Sequence, residues 1–594
     1  MAKRKADRTP PTAVAGEVQS GLLSQLRVIV DIYWNSPVRN RLILLVLGVF
    51  AIIIVTSAGQ VLLNRWNVPF YDALSRRDLP AFTEQLMVFI GIASVLLVLS
   101  VAQTWLNQMT RLKLREGLTR DLIGEWLVPR RAFKLSNSGP IGVNPDQRLH
   151  EDARHLAEMS TDLGFGLLQA SILMVSFVGV LWSLSSGFVF NLYGYSFSIP
   201  GYMVWAAILY AASASWLSWL VGRKLIKYNA DRYQKESELR FSLMRVNEHI
   251  DAISLYRGEA DEKRRLGFDV DSLLAAIRLL VTALTQLTWV TSGYGWFTIV
   301  APILVAAPVY FAGNLSFGGL MMAIGAFNQV HAALKWFVDN FGAIADWRAT
   351  LLRVTSFRQA VQATDIMNGV EQRIGFAEGE ANELRLDALK ISAPRMTVRL
   401  KEKAAVVKEG ERVLITSETG IDRTLLFRAI AGLWPWGAGT VTLPGGKEII
   451  YMPRLPYFPP GSLREAMSYP LGKDGFSDSQ LVDALHNLGL KRLETMLDFN
   501  ARWERELSDD EQQSLAFARL RLHKPDWVVI DEALDGMEPD ARELALAVLR
   551  DDLGASTVVH IGREDKDDHV FSKVLHFVSD PSGHGLEGTG VTGV

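Results

Sequence analysis

The sequence predicts a multi-domain chain: an all-α region of six membrane-spanning helices, followed by an α/β domain. Three observations carry this. Long stretches without Asp, Glu, Lys or Arg recur up to about residue 340, and stop after about residue 355. The later half holds a strand–turn–helix pattern and a buried strand that ends in Asp-Glu. The 594 residues also exceed the roughly 250–300 that one core sustains. A mean hydropathy of +0.14 fits a mixture of membrane and soluble parts.

Composition removes several classes of function. With no Cys, the chain forms no disulfide, thiol nucleophile or Cys-ligated cluster. A net charge of −2 gives no support for nucleic-acid binding.

Residues 1–23 are polar and lack an apolar signal core, so a disordered N-terminus without a cleavable leader is expected. Residues 24–39 alternate apolar and polar groups as an amphipathic interfacial helix would. The stretches 42–64 and 85–110 are charge-free over 23 and 26 residues, one span each. The stretches 163–222 and 279–334 are too long for one span. They break at 185–200 and 308–319, where Gly, Asn, Ser and Pro collect. The expected spans are 42–64, 85–110, 163–184, 200–222, 279–307 and 319–338, with a loop over 65–81.

Segment 111–162 carries nine Lys and Arg, and segment 223–278 carries twelve. The positive-inside rule puts both on the cytoplasmic side, as long helical extensions, together with both chain termini. The expected division is a membrane domain over 24–355, a linker over 356–380, an α/β domain over 381–580 and a disordered tail over 581–594.

In the α/β part, Glu411–Thr416 reads as a strand and Leu425–Trp434 as an amphipathic helix. The turn between them lies where a phosphate-cradling P-loop would lie. Read in that register it is Ser417, Glu418, Thr419, Gly420, Ile421, Asp422, Arg423 and Thr424. Downstream, Leu507-Ser508-Asp509-Asp510-Glu511 opens a helix, and the strand Trp527–Ile530 ends in Asp531 and Glu532. A strand ending in these two acids suits Mg²⁺ binding by the first and orientation of a water by the second.

From these residues the last ~200 positions resemble the nucleotide-binding domain of an ATP-binding cassette transporter. The whole chain, from about 25 to 570, is similar to subfamily D and to SbmA/BacA-like peptide-uptake proteins. The segments that carry the likeness are Asn144–Asp152, Phe427–Gly439 and Met452–Pro470. The resemblance implies an exporter-like membrane fold and a P-loop-type domain with a helical subdomain. ATP and Mg²⁺ would be the cofactors, with Thr424 and Asp531 as the Mg²⁺ side.

The departures from the family fall on nucleotide contacts. The family P-loop resembles GxSGxGKS, so Asp422 stands for a Gly and Arg423 for the Lys. Its signature LSGGE reads LSDDE here, through Asp509 and Asp510. Arg454 stands at the Q-loop Gln, and Arg563 at the switch His. A side chain and a carboxylate at 422 obstruct and repel phosphate, by roughly 4 kcal/mol for unit charges ~4 Å apart at an effective dielectric of ~20. The expectation is weak ATP binding and hydrolysis, with Asp531 and Glu532 vestigial.

The expected function is a transporter half for peptides, hydrophilic solutes or fatty-acyl compounds, paired as a homodimer in the inner membrane. The proton gradient is then an alternative energy source. Asp339, Asp346 and His331 are candidate proton carriers, and Gln60, Gln286, Asn328 and Gln329 candidate cavity residues. Two other readings are an ATPase in a heterodimer with an intact partner, and a non-transporting scaffold. Opposite charges also suggest that Arg423 of one copy pairs with Asp509 and Asp510 of the other.

Overall fold

A computed structural model describes residues 21–136, 145–186, 190–192, 195–363, 373–379, 382–392, 396–418, 420–563 and 570–580. The expected disordered N-terminus (to residue 20), Asn144, Thr419, residues 364–372 and 380 of the expected linker and the expected tail lie outside them. The chain divides into two compact units, residues 1–126 with 144–359, and 127–143 with 360–594.

The first unit is helical. Helix α1 (Leu22–Trp34) stops before Ser36 and Pro37, where proline disfavours continued helix. Its Tyr33 hydroxyl donates to the Leu114 carbonyl at 3.1 Å. The remaining helices are α2 (Arg39–Arg76), α3 (Leu79–Trp126), α4 (Ala153–Ser185), α5 (Tyr202–Glu248), α6 (Glu259–Phe311), α7 (Phe317–Asp339) and α8 (Phe341–Ala363).

Among the described residues, five helices are long and apolar enough to cross a membrane: α2, α3, α4 with its lead-in from Pro145, α5 and α6. The sixth expected span falls on α7, which at 23 residues is long enough but carries Asn328, Gln329 and His331 and is not among the five. Helices α5 and α6 have 47 and 53 residues. At 1.5 Å per residue they measure about 70 and 80 Å, far beyond the ~30 Å apolar core of a bilayer. The excess length is the expected helical extension.

The loop expected over 65–81 is not a loop. Helix α2 continues through Pro69 to Arg76 and turns at Arg77, whose φ of 58° is left-handed. The polar residues there are held by α7, since Asp72 Oδ1 accepts the Gly318 N–H at 2.8 Å. The approach is close: a Cβ on Gly318 would meet the Val68 carbonyl oxygen at 2.2 Å. One and two turns further along, Asn64 donates to the Met322 carbonyl at 3.1 Å and packs over Gly325. Small residues let helices meet backbone to backbone in this way.

Helix α8 is fixed by side chains. Asp152, buried at the end of a π-helical turn (Arg148–Asp152), pairs with Arg148 at 2.6 Å and Arg353 at 2.9 Å. His155 meets Asp346 at 2.8 Å, and Trp347 donates to Ser160 at 2.9 Å. The stretch 356–363, expected as linker, is therefore the last part of a packed helix.

The second unit is built on a ten-stranded sheet: β1 (Gly375–Gly379), β2 (Glu383–Ser392), β3 (Thr397–Leu400), β4 (Ala404–Lys408), β5 (Arg412–Ser417), β6 (Gly437–Pro444), β7 (Ile449–Met452), β8 (Trp527–Asp531), β9 (Thr557–Ile561) and β10 (Lys573–Ser579). The order is β1-β6-β2-β3-β10-β5-β9-β8-β7, with β4 on β2. Strands β10, β5, β9, β8 and β7 run parallel, and β2 pairs antiparallel with β3, β4 and β6. The fully buried β8 and β9 read as continuous apolar runs, as central parallel strands do. A second core, around Phe458, Trp503 and Phe517, joins the helices between β7 and β8 to the sheet.

Residues 127–143 go with this unit, although the sequence reading placed them in the membrane domain. Their Arg130 guanidinium lies against Gly432, 3.2 Å from where a Cβ would stand.

Candidate functional site

The site is assembled at the carboxyl ends of β5, β8 and β9, where open parallel sheets place their chemistry. Strand β5 ends in Ser417, and the turn leads into helix α9 (Arg423–Ile430). Gly420 keeps a φ of +92° that suits glycine. Strand β8 delivers Asp531, 1% exposed, followed by Glu532 at a left-handed φ of 50°. A non-glycine residue there is rare and is characteristic of functional turns.

Arg423, at the P-loop lysine position, points back across the site. Its Nη1 donates to Glu532 Oε1 at 2.6 Å and its Nε to Ser417 Oγ at 3.1 Å. Asp535 Oδ2 lies 3.9 Å from the same Nη1. The other Glu532 oxygen is 3.5 Å from Arg454 Nη1. Two guanidinium groups therefore hold the one carboxylate from both sides.

Asp422 caps α9. Its Oδ1 accepts the Thr424 N–H at 3.0 Å, so one of the donors of that helix N-terminus is already engaged. Glu418 turns away, its Oε2 accepting the Ser579 N–H at 3.1 Å, and Ile421 packs on the apolar core. The expected pairing of Arg423 with Asp509 and Asp510 of a second copy meets a competitor, because Arg423 is paired within its own chain. Asp510 also has an internal partner, accepting the Glu538 N–H at 3.1 Å.

The signature segment opens helix α10 (Asp509–His523) with a reciprocal cap. Ser508 accepts from the Glu511 N–H, and Glu511 accepts from the Ser508 N–H. Arg492 donates to Glu511 at 2.7 Å. Leu507 is buried beneath. Three acids in the first turn, Asp509, Asp510 and Glu511, answer the positive end of the helix dipole.

Burial pushes the Asp531 carboxyl up to about 6, with Glu532 and Asp422 adding to the rise and a hydrogen bond to Thr424 opposing it. Its Oδ1 has no hydrogen-bond partner among the described residues. Burial also raises Asp535, against the Arg563 N–H, which it accepts at 2.9 Å, and the charge of Arg423.

One residue escaped the sequence reading, His560 on β9, which forms the floor of the cluster 3.9 Å from Asp535. Asp535 forms one wall; it opens the segment Asp535–Glu538, which stands where the family's D-loop would stand. Burial pushes the His560 imidazole down to about 3, helped by Arg542 and Arg423. Neither of its ring nitrogens has a partner among the described residues. The switch position was aligned to Arg563, which contributes a backbone N–H while its side chain is exposed. The available signal was a polar residue inside an otherwise apolar strand.

The residues fit the two implied groups unequally. A hydroxyl on Thr424 beside a buried carboxylate with an unpartnered oxygen suits a Mg²⁺ ion. Among the described residues, no three His, Asp or Glu side chains are placed to hold a metal by themselves. The N-terminus of α9 does not fit a phosphate as it stands: a carboxylate caps it, and the cation beside it is committed to Glu532.

Residues 29–311 match the family of ABC transporter transmembrane region 2. Similarity extends well beyond that segment. The chain is 25% identical over 546 residues to the inner membrane ABC transporter ATP-binding protein YddA of Escherichia coli, covering 91% of this chain and 95% of that one. It is 27% identical to the ABC transporter ATP-binding protein sll0182 of Synechocystis, covering 87% and 78%. It is 24% identical to the human lysosomal cobalamin transporter ABCD4, covering 85% and 86%. These are likenesses to ABC transporters, among them members of subfamily D, and with the apolar helices they indicate a multi-pass membrane protein. ATP and Mg²⁺, which ABC transporters use, are the groups against which the site of the α/β unit is judged.

Proposed function

We propose that this chain is one half of an ABC transporter that moves peptides, hydrophilic solutes or fatty-acyl compounds across the inner membrane, with an α/β unit that is a cassette which folds but hydrolyses ATP weakly or not at all. The relatives named for transport support the first part. The second part is carried by the 2.6 Å contact between Arg423 and Glu532. In a working cassette this glutamate orients the attacking water. Here its carboxylate accepts from a guanidinium, and such a charge-assisted bond contributes about 1.5–3 kcal/mol. Breaking it in each cycle would slow hydrolysis by about one to two decades. Asp422 adds a carboxylate where a phosphate would have to arrive, and Asp509 and Asp510 add two more on the signature side.

In this reading the cassettes of two paired copies act as a cytoplasmic scaffold, and the proton gradient supplies the energy. Both chain termini lie on the cytoplasmic side, following the basic segments 111–162 and 223–278. The test is ATP hydrolysis by the purified full chain in lipid, with Glu532→Gln as the control. Turnover at the background of that variant is the expected result. Robust hydrolysis that Glu532→Gln abolishes would overturn the proposal.

A further inference from the structure

The charge-free stretches 42–64, 85–110, 163–222 and 279–334 contain a single histidine, His331. It is the one side chain in them whose charge changes between about pH 5 and 8. The other two candidate carriers are already paired: Asp346 with His155 at 2.8 Å, and Asp339 with Lys335 at 3.6 Å. His331 is not. Its Nε2 is buried and has no hydrogen-bond partner among the described residues. Leaving a buried ring nitrogen without a partner costs about 1–3 kcal/mol.

Its neighbour is an aromatic ring. The centroids of His331 on α7 and Tyr210 on α5 are 5.1 Å apart, with planes at 54°. Tyr210 in turn donates to the Tyr294 carbonyl at 2.7 Å and lies 3.0 Å from Thr298 Oγ1, both on α6. Phe327, one turn earlier on α7, closes the cluster at 5.9 Å from Tyr210.

We infer that His331 and Tyr210 form an intramembrane proton-binding site that ties α5, α6 and α7 together. The Nε2 lone pair takes a proton from water on the side to which it is open, forming one N–H bond. Release to the other side breaks that bond, and nothing else changes hands. The imidazolium sits within the roughly 6 Å over which an aromatic ring attracts a cation. Because the Tyr210 hydroxyl is anchored on α6, the proton pulls on three helices at once. Ionisable groups inside a membrane bundle are costly and mark pathways or relays.

The titratable groups around the site are few. On its own helix they are Lys335 and Asp339, one and two turns along, which largely neutralise each other. From α5 and α6 they are Tyr210 and Tyr294. The stretches 42–64 of α2 and 163–185 of α4 carry no Asp, Glu, Lys, Arg or His, and Asp72 of α2 meets the far end of α7, at Gly318.

The use of this site in transport rests on the gradient-driven reading, but its existence does not, so the two fail separately. The full chain is labelled with 15N-histidine, placed in lipid nanodiscs and titrated by NMR from about pH 5 to 9. His331→Gln identifies the signal and serves no other purpose. The His331 nitrogen is expected to titrate within that range. Tyr210→Leu, which removes the ring, is expected to move the midpoint by about half a unit or more, and Tyr210→Phe, which keeps the ring, by less. A His331 signal that stays constant across the range overturns the proposal. A midpoint identical in wild type and Tyr210→Leu overturns the pairing with Tyr210.

Discussion

The α/β unit and the helical unit leave different polar groups unanswered. In the α/β unit, the helix N-termini at the P-loop-like and signature-like positions are closed by the chain's own side chains, Asp422 on α9 and Ser508 with Glu511 on α10, while Asp531 Oδ1 and both ring nitrogens of His560 are without hydrogen-bond partners among the described residues. The nearby cation, Arg423, is bound to Glu532. In the bundle, Thr56 Oγ1, Gln60 Oε1, Asn107 Oδ1 and His331 Nε2 are buried without hydrogen-bond partners among the described residues. A polar group left unanswered in an apolar medium keeps an affinity for something else. In the α/β unit Asp531 and His560 stand together at one site beside the bound Glu532, whereas the groups named in the helical unit are spread over α2, α3 and α7.

The largest effect should come from reopening the cassette. The pair Asp422→Gly and Arg423→Lys removes the capping carboxylate and replaces the planar fork with a point charge. Repulsion of roughly 4 kcal/mol is the scale for a carboxylate ~4 Å from a phosphate charge at an effective dielectric of ~20. Nucleotide affinity of the full chain should therefore rise at least about tenfold, which needs only ~1.4 kcal/mol. Equal affinity in a binding titration would show that these two residues are not what closes the site.

Asp531→Asn should stabilise the fold by about 2 kcal/mol at pH 7–8. The folded carboxyl is raised to about 6 by burial, above its unfolded value. Between those values the folded state holds more protons than the unfolded state, so stability falls as pH rises through the window. The penalty is complete above about 6 and absent below the ordinary carboxylate range. His560 runs the other way. Its folded value lies near 3, so the unfolded state takes the extra proton and stability falls as pH drops below about 6.5. Thermal melts of Asp531→Asn against wild type should thus differ most at pH 8 and converge near pH 4. A constant difference across that range would assign the gain to something other than ionisation.

Charge-free runs made the bundle readable, because a bilayer tolerates few alternatives to apolar helix. The ends of the helices were less readable. Hydropathy reports the apolar core only, so the extension of α2 to Arg76 and of α8 to Ala363 depended on tertiary partners such as Gly318 and Asp152. In the cassette, residue identities at Ser417, Asp422, Arg423, Asp531 and Glu532 were visible, but their partners were not. A motif fixes where a side chain starts, and a long Arg side chain can reach either a ligand or a neighbouring acid. His560 was missed because it lies in an otherwise apolar strand, and Asp535 was visible as the start of an altered D-loop while its approach to Arg423 was not.

The smallest effects belong to the contact between α2 and α7, and they separate backbone from side-chain fit. Gly318→Ala places a Cβ 2.2 Å from the Val68 carbonyl oxygen, which cannot move without its helix. Gly325→Ala places one 2.3 Å from Asn64 Oδ1, the end of a side chain that can swing aside. The first should cost about 1–3 kcal/mol, as overpacking does. The second should cost little beyond the Asn64 hydrogen bond to Met322, and interhelical bonds in membranes average about 0.6 kcal/mol. Asn64→Ala should then match Gly325→Ala, and the double variant should cost no more than either alone. Unfolding of the full chain in mixed micelles measures all four. Additive losses in the double variant would mean that Gly325 contacts backbone, and that α2 and α7 approach as closely there as they do at Gly318.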